Sequence, residues 1–372
     1  MPKRGENIYK RKDKRWEGRY IKSRTATNKI VYGYVYGKSY RVVKQKLEIL
    51  KVKHLELNSK VISNEITFSE WLQFWFTTKA RNQVKKTTYS SYYRLITKHI
   101  IPYFDGLMLN KMELNNIQEF INYLEKYGLS AGTIRNIFSI LNKCLSEAKI
   151  QRYIYENPCA DVVLPKNYKK EVKVLTLQQQ RKIEMLALKE SWCSPIILAL
   201  YSGLRVGEIS GLKWQDIDFE NNIIKVRRTV SRVVAENSHK AKTELIEGTP
   251  KSKYSIRDIP LAKNLKKYLI KYKQQAESEY VISKTQNITE PRIITYRFKR
   301  TITLAGLENI NFHVLRHTFA TRCIENGIDI ASVSKILGHQ SIKMTLDTYT
   351  GSLMDTRRKA MNKLDKLLDP II

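Results

Sequence analysis

The run Ile196-Ile-Leu-Ala-Leu, preceded by Ser194-Pro and stopped by Gly203, constrains the fold of this chain more than any other stretch. Serine caps a helix by accepting from its first turn and proline fits the first helical position, so a helix is expected to start at 195. Apolar on every side, it has no face to offer water and must be fully buried, with other elements packed around it. It is far too short to span a bilayer. The next helix opens with Arg205 and carries Glu208, which places a cation beside a carboxylate that can orient it. Taken alone, Arg-x-x-Glu is a common surface ion pair. A helix over 177–188 is expected before the run. After it, Phe219-Glu-Asn-Asn reads as a turn, 223–230 as a strand, 231–248 as a loop longer than a tight hairpin needs, and 255–261 as a second strand.

A second stretch carries more of the chemistry. Read as a helix, Phe312-His-Val-Leu-Arg-His-Thr-Phe puts Phe312, Leu315, Phe319 and Cys323 on one apolar stripe, with His313 and Arg316 on its flank. A short helix capped by Asp329 carries Ile330, Val333 and Ile336 inward and stops at Gly338, a residue suited to the left-handed cap position. His339 projects from that corner, and Ser341 caps a third helix that presents Tyr349. Arginine holds phosphate oxygens through a planar fork, histidine donates hydrogen bonds or protons, and tyrosine attacks as a nucleophile once deprotonated. Together they suit phosphoryl transfer at a phosphodiester without a metal. His313 and His317 have the i,i+4 spacing of a metal pair, but Val314 stands where a zinc-protease motif needs glutamate and no third ligand is evident. No metal or other cofactor is therefore expected.

His313-x-x-Arg316-His317, Leu337-Gly-His339-x-Ser341 and the downstream Tyr349 resemble the tyrosine recombinases, the phage-integrase family of temperate phages and conjugative transposons. Upstream, Ser202-Gly-Leu-Arg-Val-Gly-Glu-Ile resembles the pattern around the family's first catalytic arginine. Thr249-Pro-Lys-Ser-Lys resembles the site of its β-hairpin lysine, which Lys251 fits best, with Lys242 and Lys253 as competitors. The resemblance implies that Arg205 and Arg316 grip the scissile phosphate and stabilise its pentacoordinate transition state, with Glu208 in support. It implies that His313 and His339 contact the phosphate oxygens, His313 also handling the tyrosine proton. Lys251 would protonate the leaving 5′ oxygen, and Tyr349 would become a 3′-phosphotyrosine that rejoins to another strand without ATP. Tyr349-Thr-Gly departs from the family in lacking the histidine often seen two residues on.

A formal charge of +32 makes a polyanion the first partner to consider. Residues 1–60 hold 18 lysines and arginines against five acids. Trp16, Gly18 and Tyr20, then Tyr32, Tyr34 and Tyr36, recur at strand spacing, with Ile8-Tyr9 as a further strand and a turn at Asn28-Lys29. From Ser39 the period becomes helical, with Val43, Leu47 and Leu50 on one side. A basic sheet of this kind suits a DNA major groove, although ordinary cross-strand pairing explains each tyrosine as well. The segment resembles the arm-type DNA-binding domain of phage and conjugative-transposon integrases. Its candidate contacts are Lys10, Arg11, Lys12, Trp16, Arg19, Tyr32 and Tyr34.

A polar connector at 58–64 leads into four expected helices. Ile66, Trp71, Phe74 and Trp75 face inward in the first, and Tyr89, Tyr92 or Tyr93 and Ile96 in the second, which runs over 87–100; the others span 114–127 and 133–150. Lys85, Lys86 and Thr87 are further candidate DNA contacts, equally explained as a solvated face. A basic linker follows at 165–172. The resulting fold class is multidomain and mainly α with small β elements: a three-stranded sheet plus helix (1–60), a four-helix core-binding domain (65–165), a mixed α+β catalytic domain (172–360) and a tail (361–372). Cys144, Cys159, Cys193 and Cys323 show no Cys-x-x-Cys spacing, which fits a reducing cytoplasm, and no signal peptide or membrane span is evident. The resemblance implies double-stranded DNA with core and arm-type sites, a homotetramer on DNA, a directionality factor, a host DNA-bending protein and the cytoplasm of a bacterial host. Integration and excision of a mobile element is the expected function. Chromosome- or plasmid-dimer resolution, type IB topoisomerase activity and non-catalytic DNA binding are the alternatives.

Overall fold

The computed structural model describes residues 7–24, 30–59, 66–168, 172–190, 194–235, 242–250, 253–349, 358, 361–362 and 364–365. The chain divides into two compact units, Met1–Tyr168 and Lys169–Ile372. It is mostly helical with small sheets.

In the first unit, β1 (Ile8–Lys10), β2 (Trp16–Arg24) and β3 (Ile30–Gly37) form an antiparallel sheet in that order, followed by α1 (Tyr40–Ser59). Ile8 opposes Gly18, Gly18 opposes Val35, and the strands close on Val43 and Leu47 of α1. Gly18 permits this approach, because a Cβ there would stand 2.8 Å from Val43 Cγ1. Alternation turns Arg19, Tyr34 and Tyr36 to the opposite, open face. There the Arg19 guanidinium lies 4.2 Å from the Tyr32 ring centroid. The same alternation corrects the expectation for Trp16, which must share the helix side with Gly18 and Tyr20. It meets Tyr40 edge to face at 5.3 Å. The expected turn at Asn28-Lys29 and residues 60–64 of the connector lie outside the described residues.

A helical bundle follows. α2 (Phe68–Trp75) starts at a capping box in which Thr67 Oγ1 accepts from the Glu70 amide and the Glu70 carboxylate accepts from the Thr67 amide. It runs through a π turn at Phe76–Ala80 into α3 (Arg81–Gln83), and α4 (Lys86–Leu95) runs into a second π turn at Ile96–Ile100. α5 (Leu114–Lys126) and α6 (Ala131–Ile150) complete the bundle. Phe68, Trp71, Leu72, Phe104, Phe120 and Ile134 form its core, and the Trp71 indole donates to the Cys144 carbonyl at 3.2 Å. Phe74 and Tyr93, both candidates for the interior, are 45% and 43% exposed. Phe68, Trp71, Leu72 and Trp75 already fill the buried face of α2, leaving Phe74 at its edge. Of the two alternatives in the second helix, Tyr92 takes the inward place with Tyr89 and Ile96, which leaves Tyr93 facing out.

The second unit is built around the apolar run. α8 (Pro195–Ser202) is capped by Ser194 and closed by Gly203 at φ +67. It packs against α7 (Leu177–Leu188), α9 (Val206–Ser210), α10 (Lys263–Lys273) and α12 (His313–Glu325). α11 (Pro291–Leu304), α13 (Ile330–Leu337) and α14 (Ile342–Tyr349) are further helices of the unit. β4 (Ile217–Asp218), β5 (Ile223–Val226) and β8 (Arg257–Pro260) form one antiparallel sheet. The single strand expected over 223–230 is broken at Arg227 and Arg228, whose side chains turn to Asp258 and Asp216. Beyond the break, β6 (Thr229–Val234) leaves the sheet to pair with β7 (Thr243–Gly248), so the expected loop is a hairpin. Its tip, residues 236–241, and Lys251 lie outside the described residues, as does most of the tail. Among the described residues no helix is long and apolar enough to cross a membrane.

Candidate active site

The last turn of α13 exposes carbonyls that no helical amide can reach, at the negative end of the helix dipole. Three guanidinium groups take three successive ones. Arg257 Nε donates to the Ile336 carbonyl at 2.5 Å, Arg316 Nη2 to Leu337 at 2.6 Å, and Arg205 Nη2 to Gly338 at 3.4 Å. The αL conformation of Gly338, at φ +67, turns the chain sharply so that these carbonyls diverge toward different partners. A Cβ at 338 would stand 2.9 Å from the Tyr254 carbonyl oxygen and 3.0 Å from Arg257 Cδ.

Arg316 is not on a flank of α12 but in its core, 2% exposed. Its other terminal nitrogen donates to the Gly203 carbonyl at 2.7 Å, at the end of α8. These two bonds occupy two of five N–H donors. Burial, and Arg205 nearby, push its pKa down to about 9. Glu208 binds the other two arginines. Its carboxylate accepts Arg205 Nη1 at 2.8 Å and the Arg205 amide at 2.9 Å, and takes Arg257 as a fork, both contacts at 3.0 Å. Burial alone would raise the Glu208 pKa, but the bonds and charge of Arg257, backed by Arg205, hold it below the ordinary value.

The histidines and the tyrosine stand within the field of these cations. His339 follows Gly338 and bonds through Nδ1 to Thr345 Oγ1 at 2.8 Å. Burial, then Arg316 and Arg205, push its pKa to about 4. His313 is exposed on its outer side, and desolvation of its inner side, with Arg316 and Arg205, lowers its pKa. Tyr349 is 3% exposed, packed among Ala320, Cys323, Ile324, Val333 and Leu337. Its Oη lies 2.9 Å from Nδ1 of His317, not of His313. Burial raises the phenol to about 12 despite Arg316 and Arg205. Burial, His313 and Arg316 push His317 down to about 4, so both partners are neutral near pH 7.

Five of the expected catalytic residues, Arg205, His313, Arg316, His339 and Tyr349, thus come together around the end of α13, with Glu208 behind them. Lys251 lies outside the described residues. Sequence reasoning missed Arg257 and gave His317 no place in the site. Period-2 alternation along β8, which buries Arg257 with Ile259, was the available signal for the first. For the second it was the helical spacing from His313.

Residues 168–355 match the Phage integrase family, more than half of the chain, and residues 67–125 match the Phage integrase N-terminal SAM-like domain. The chain belongs to the phage integrase family. Among its relatives are a protein named tyrosine recombinase XerC-like from Caldanaerobacter subterraneus subsp. tengcongensis, 26% identical across 92% of this chain and 94% of that one, and the ICEBs1 integrase of Bacillus subtilis, 28% identical across 76% and 79%. The fold is shared with the Tn1549 transposon integrase, solved in complex with transposon right end DNA, at a TM-score of 0.66 and 22% identity over 81% of this chain and 100% of that one.

In this tyrosine recombinase the other candidate contacts are distributed unevenly. Arg19, Tyr32 and Tyr34 share the open face of the N-terminal sheet, with Arg11 and Lys12 just past the end of β1. Lys10 is in register with Trp16 and shares its helix side, its ammonium 5.9 Å from the Trp16 ring. Lys85, Lys86 and Thr87 are exposed at the start of α4. Next to the arginine–histidine cluster, Arg205, His313, Thr229, Arg232 and Arg292 line a groove of about 510 Å³. The Arg232–Glu290 ion pair, at 2.6 and 2.9 Å, ties its two sides together.

Proposed function

We propose that this recombinase integrates and excises a mobile element, cutting double-stranded DNA at specific sites through a 3′-phosphotyrosine and exchanging strands by way of a Holliday junction in a homotetramer. The observation that carries the chemistry is the convergence of Arg205, Arg316, His313 and His339 on one corner, with Tyr349 in their field. Arg205 and Arg316 hold the scissile phosphate and stabilise the charge that builds up on its oxygens, while His313 and His339 donate to them. Tyr349 attacks phosphorus, and Lys251 protonates the departing 5′ oxygen. A phenol raised to about 12 does not ionise by itself at neutral pH. With Nδ1 unprotonated, His317 accepts the phenol proton as attack begins. Glu208 orients Arg205.

The assignment to a mobile element is supported by the basic sheet module ahead of the bundle and by the similarity to the ICEBs1 and Tn1549 integrases. In this reading the sheet binds arm-type sites, the bundle binds core sites, and a directionality factor and a host DNA-bending protein set the outcome in the bacterial cytoplasm. Dimer resolution is the second reading, favoured by the XerC-like relative, whose similarity spans nearly the whole chain.

The test is a suicide substrate, a nicked duplex carrying the element's junction, incubated without metal or ATP with wild type and with Tyr349→Phe. A covalent protein–DNA adduct from wild type alone supports the reading. Absence of an adduct from wild type on DNA that it binds overturns it.

A further inference from the structure

Arg257 has no task in the chemistry just proposed, yet it is more fully engaged than any other guanidinium at the site. Every one of its nitrogens is bonded to protein: both terminal nitrogens to Glu208, one of these also to the Ser255 carbonyl at 3.0 Å, and Nε to the Ile336 carbonyl. Its side chain is 6% exposed. With its donors taken up in this way, it is not placed to hold the phosphate, unlike Arg316, which keeps donors to spare. It ties β8 to α9 through Glu208, and to the end of α13 one residue before Leu337 and two before Gly338, the carbonyls that hold Arg316 and Arg205.

The charges explain why such a tie matters. Arg205, Arg257, Arg316 and Glu208 together carry two net positive charges. A phosphodiester carries one negative charge and approaches two as the fifth oxygen attacks. If Arg257 neutralises Glu208, both remaining cations face the phosphate. Without Arg257, the one buried carboxylate has only Arg205 as its arginine partner, and the corner loses both a charge and the strut on α13.

We propose that Arg257 is a positioning residue for strand cleavage: it satisfies Glu208 and pins the end of α13, leaving Arg205 free to serve the phosphate in register with His339. This rests on the catalytic roles proposed above. A Gln at 257 takes away the charge and the fork. A Lys keeps the charge but loses the bidentate geometry.

The experiment measures single-turnover cleavage of the suicide substrate by the full-length protein at saturating enzyme, with DNA affinity and thermal unfolding measured alongside. Two scissile groups are compared, the natural phosphate and a methylphosphonate, which lacks the negative charge. Arg257→Gln is expected to cleave the natural phosphate about 100-fold more slowly, the scale on which small misplacements act, with unchanged DNA affinity. Its deficit on the neutral methylphosphonate is expected to fall below about 10-fold, because less cationic field is needed there. Arg257→Lys is expected to recover part of the loss. In Glu208→Gln/Arg257→Gln, where no uncompensated carboxylate remains, the deficit is expected to be no greater than that of Glu208→Gln alone. This double variant also serves as the test if Arg257→Gln does not fold. Cleavage by Arg257→Gln within threefold of wild type overturns the proposal, as do equal losses on both substrates or multiplicative losses in the double variant. An inactive wild type would instead overturn the catalytic reading on which it rests.

Discussion

Replacing Arg316 with Met should abolish cleavage without a large loss of stability in the second unit. The usual expectation for a buried arginine is different, since removing one member of a buried ion pair destabilises by about 3–5 kcal/mol. Among the described residues, however, Arg316 has no carboxylate in direct contact; its two short bonds go to the carbonyls of Gly203 and Leu337. Leaving those carbonyls without donors costs about 1–3 kcal/mol each, so about 2–6 kcal/mol together. On the other side, burial and the neighbouring arginines push the guanidinium from 12.5 to about 9. At 1.36 kcal/mol per decade that corresponds to about 5 kcal/mol held against the charged form. Methionine is unbranched and adaptable, so little cavity is left. The two large terms oppose each other, and the net change should lie between about 3 kcal/mol stabilising and about 1 kcal/mol destabilising. Hydrogen exchange of the α8 and α12 amides in the full chain reads the opening free energy of this unit, and adduct formation on the suicide substrate reads activity. A stability loss above about 4 kcal/mol would refute the reasoning, because it would mean that the carbonyl bonds dominate and Arg316 is a structural strut.

Two other outcomes follow from the same corner. Gly338→Ala should lose about 2 kcal/mol of stability, from a left-handed backbone and a Cβ 2.9 Å from the Tyr254 carbonyl oxygen. Single-turnover cleavage should fall at least about 10-fold with DNA affinity retained, and wild-type cleavage would show that the corner tolerates displacement. His317 and His339, held near 4, are neutral in the folded protein. The unfolded chain takes up protons on them below its ordinary value of about 6.5, so their contribution is complete above pH 6.5 and is lost as pH falls toward 4. After allowance for partial exposure this amounts to about 1–2 kcal/mol each by pH 5. Thermal unfolding from pH 7.5 to 4 should show a shallower decline in His317→Gln than in wild type, and parallel curves would refute the assignment.

What could be read from the sequence was local. Ser194-Pro195 and Gly203 bound α8, and Asp329 and Gly338 bound α13, because caps act on their own turn and leave a residue-level mark. The left-handed Gly338 already placed His339 at a corner. What could not be read depended on partners distant in sequence. Arg316 sits in the core because carbonyls from α8 and α13 meet it there, and a periodicity that assigns cations to the surface cannot anticipate that. β6 and β7 pair across residues 235–242, a stretch longer than the two-residue hairpin loop, so no turn dipeptide announced the hairpin. Arg257 was visible only as an inward position on a short strand, and its meaning comes from Glu208, 49 residues away.

The placement of Tyr349 bears on the safety of the host genome. A basic protein searching along DNA touches phosphodiesters continually, and a reactive phenol held at its surface would leave breaks wherever it paused. Here the ring is packed among Ala320, Cys323, Ile324, Val333 and Leu337 with its oxygen on His317. Casual contact offers DNA the cations but not the phenol. In the chemistry proposed above, cutting requires the ring to turn toward the phosphate while its oxygen stays within reach of His317, an energetic demand that a chance encounter does not meet and that a correctly assembled complex can supply.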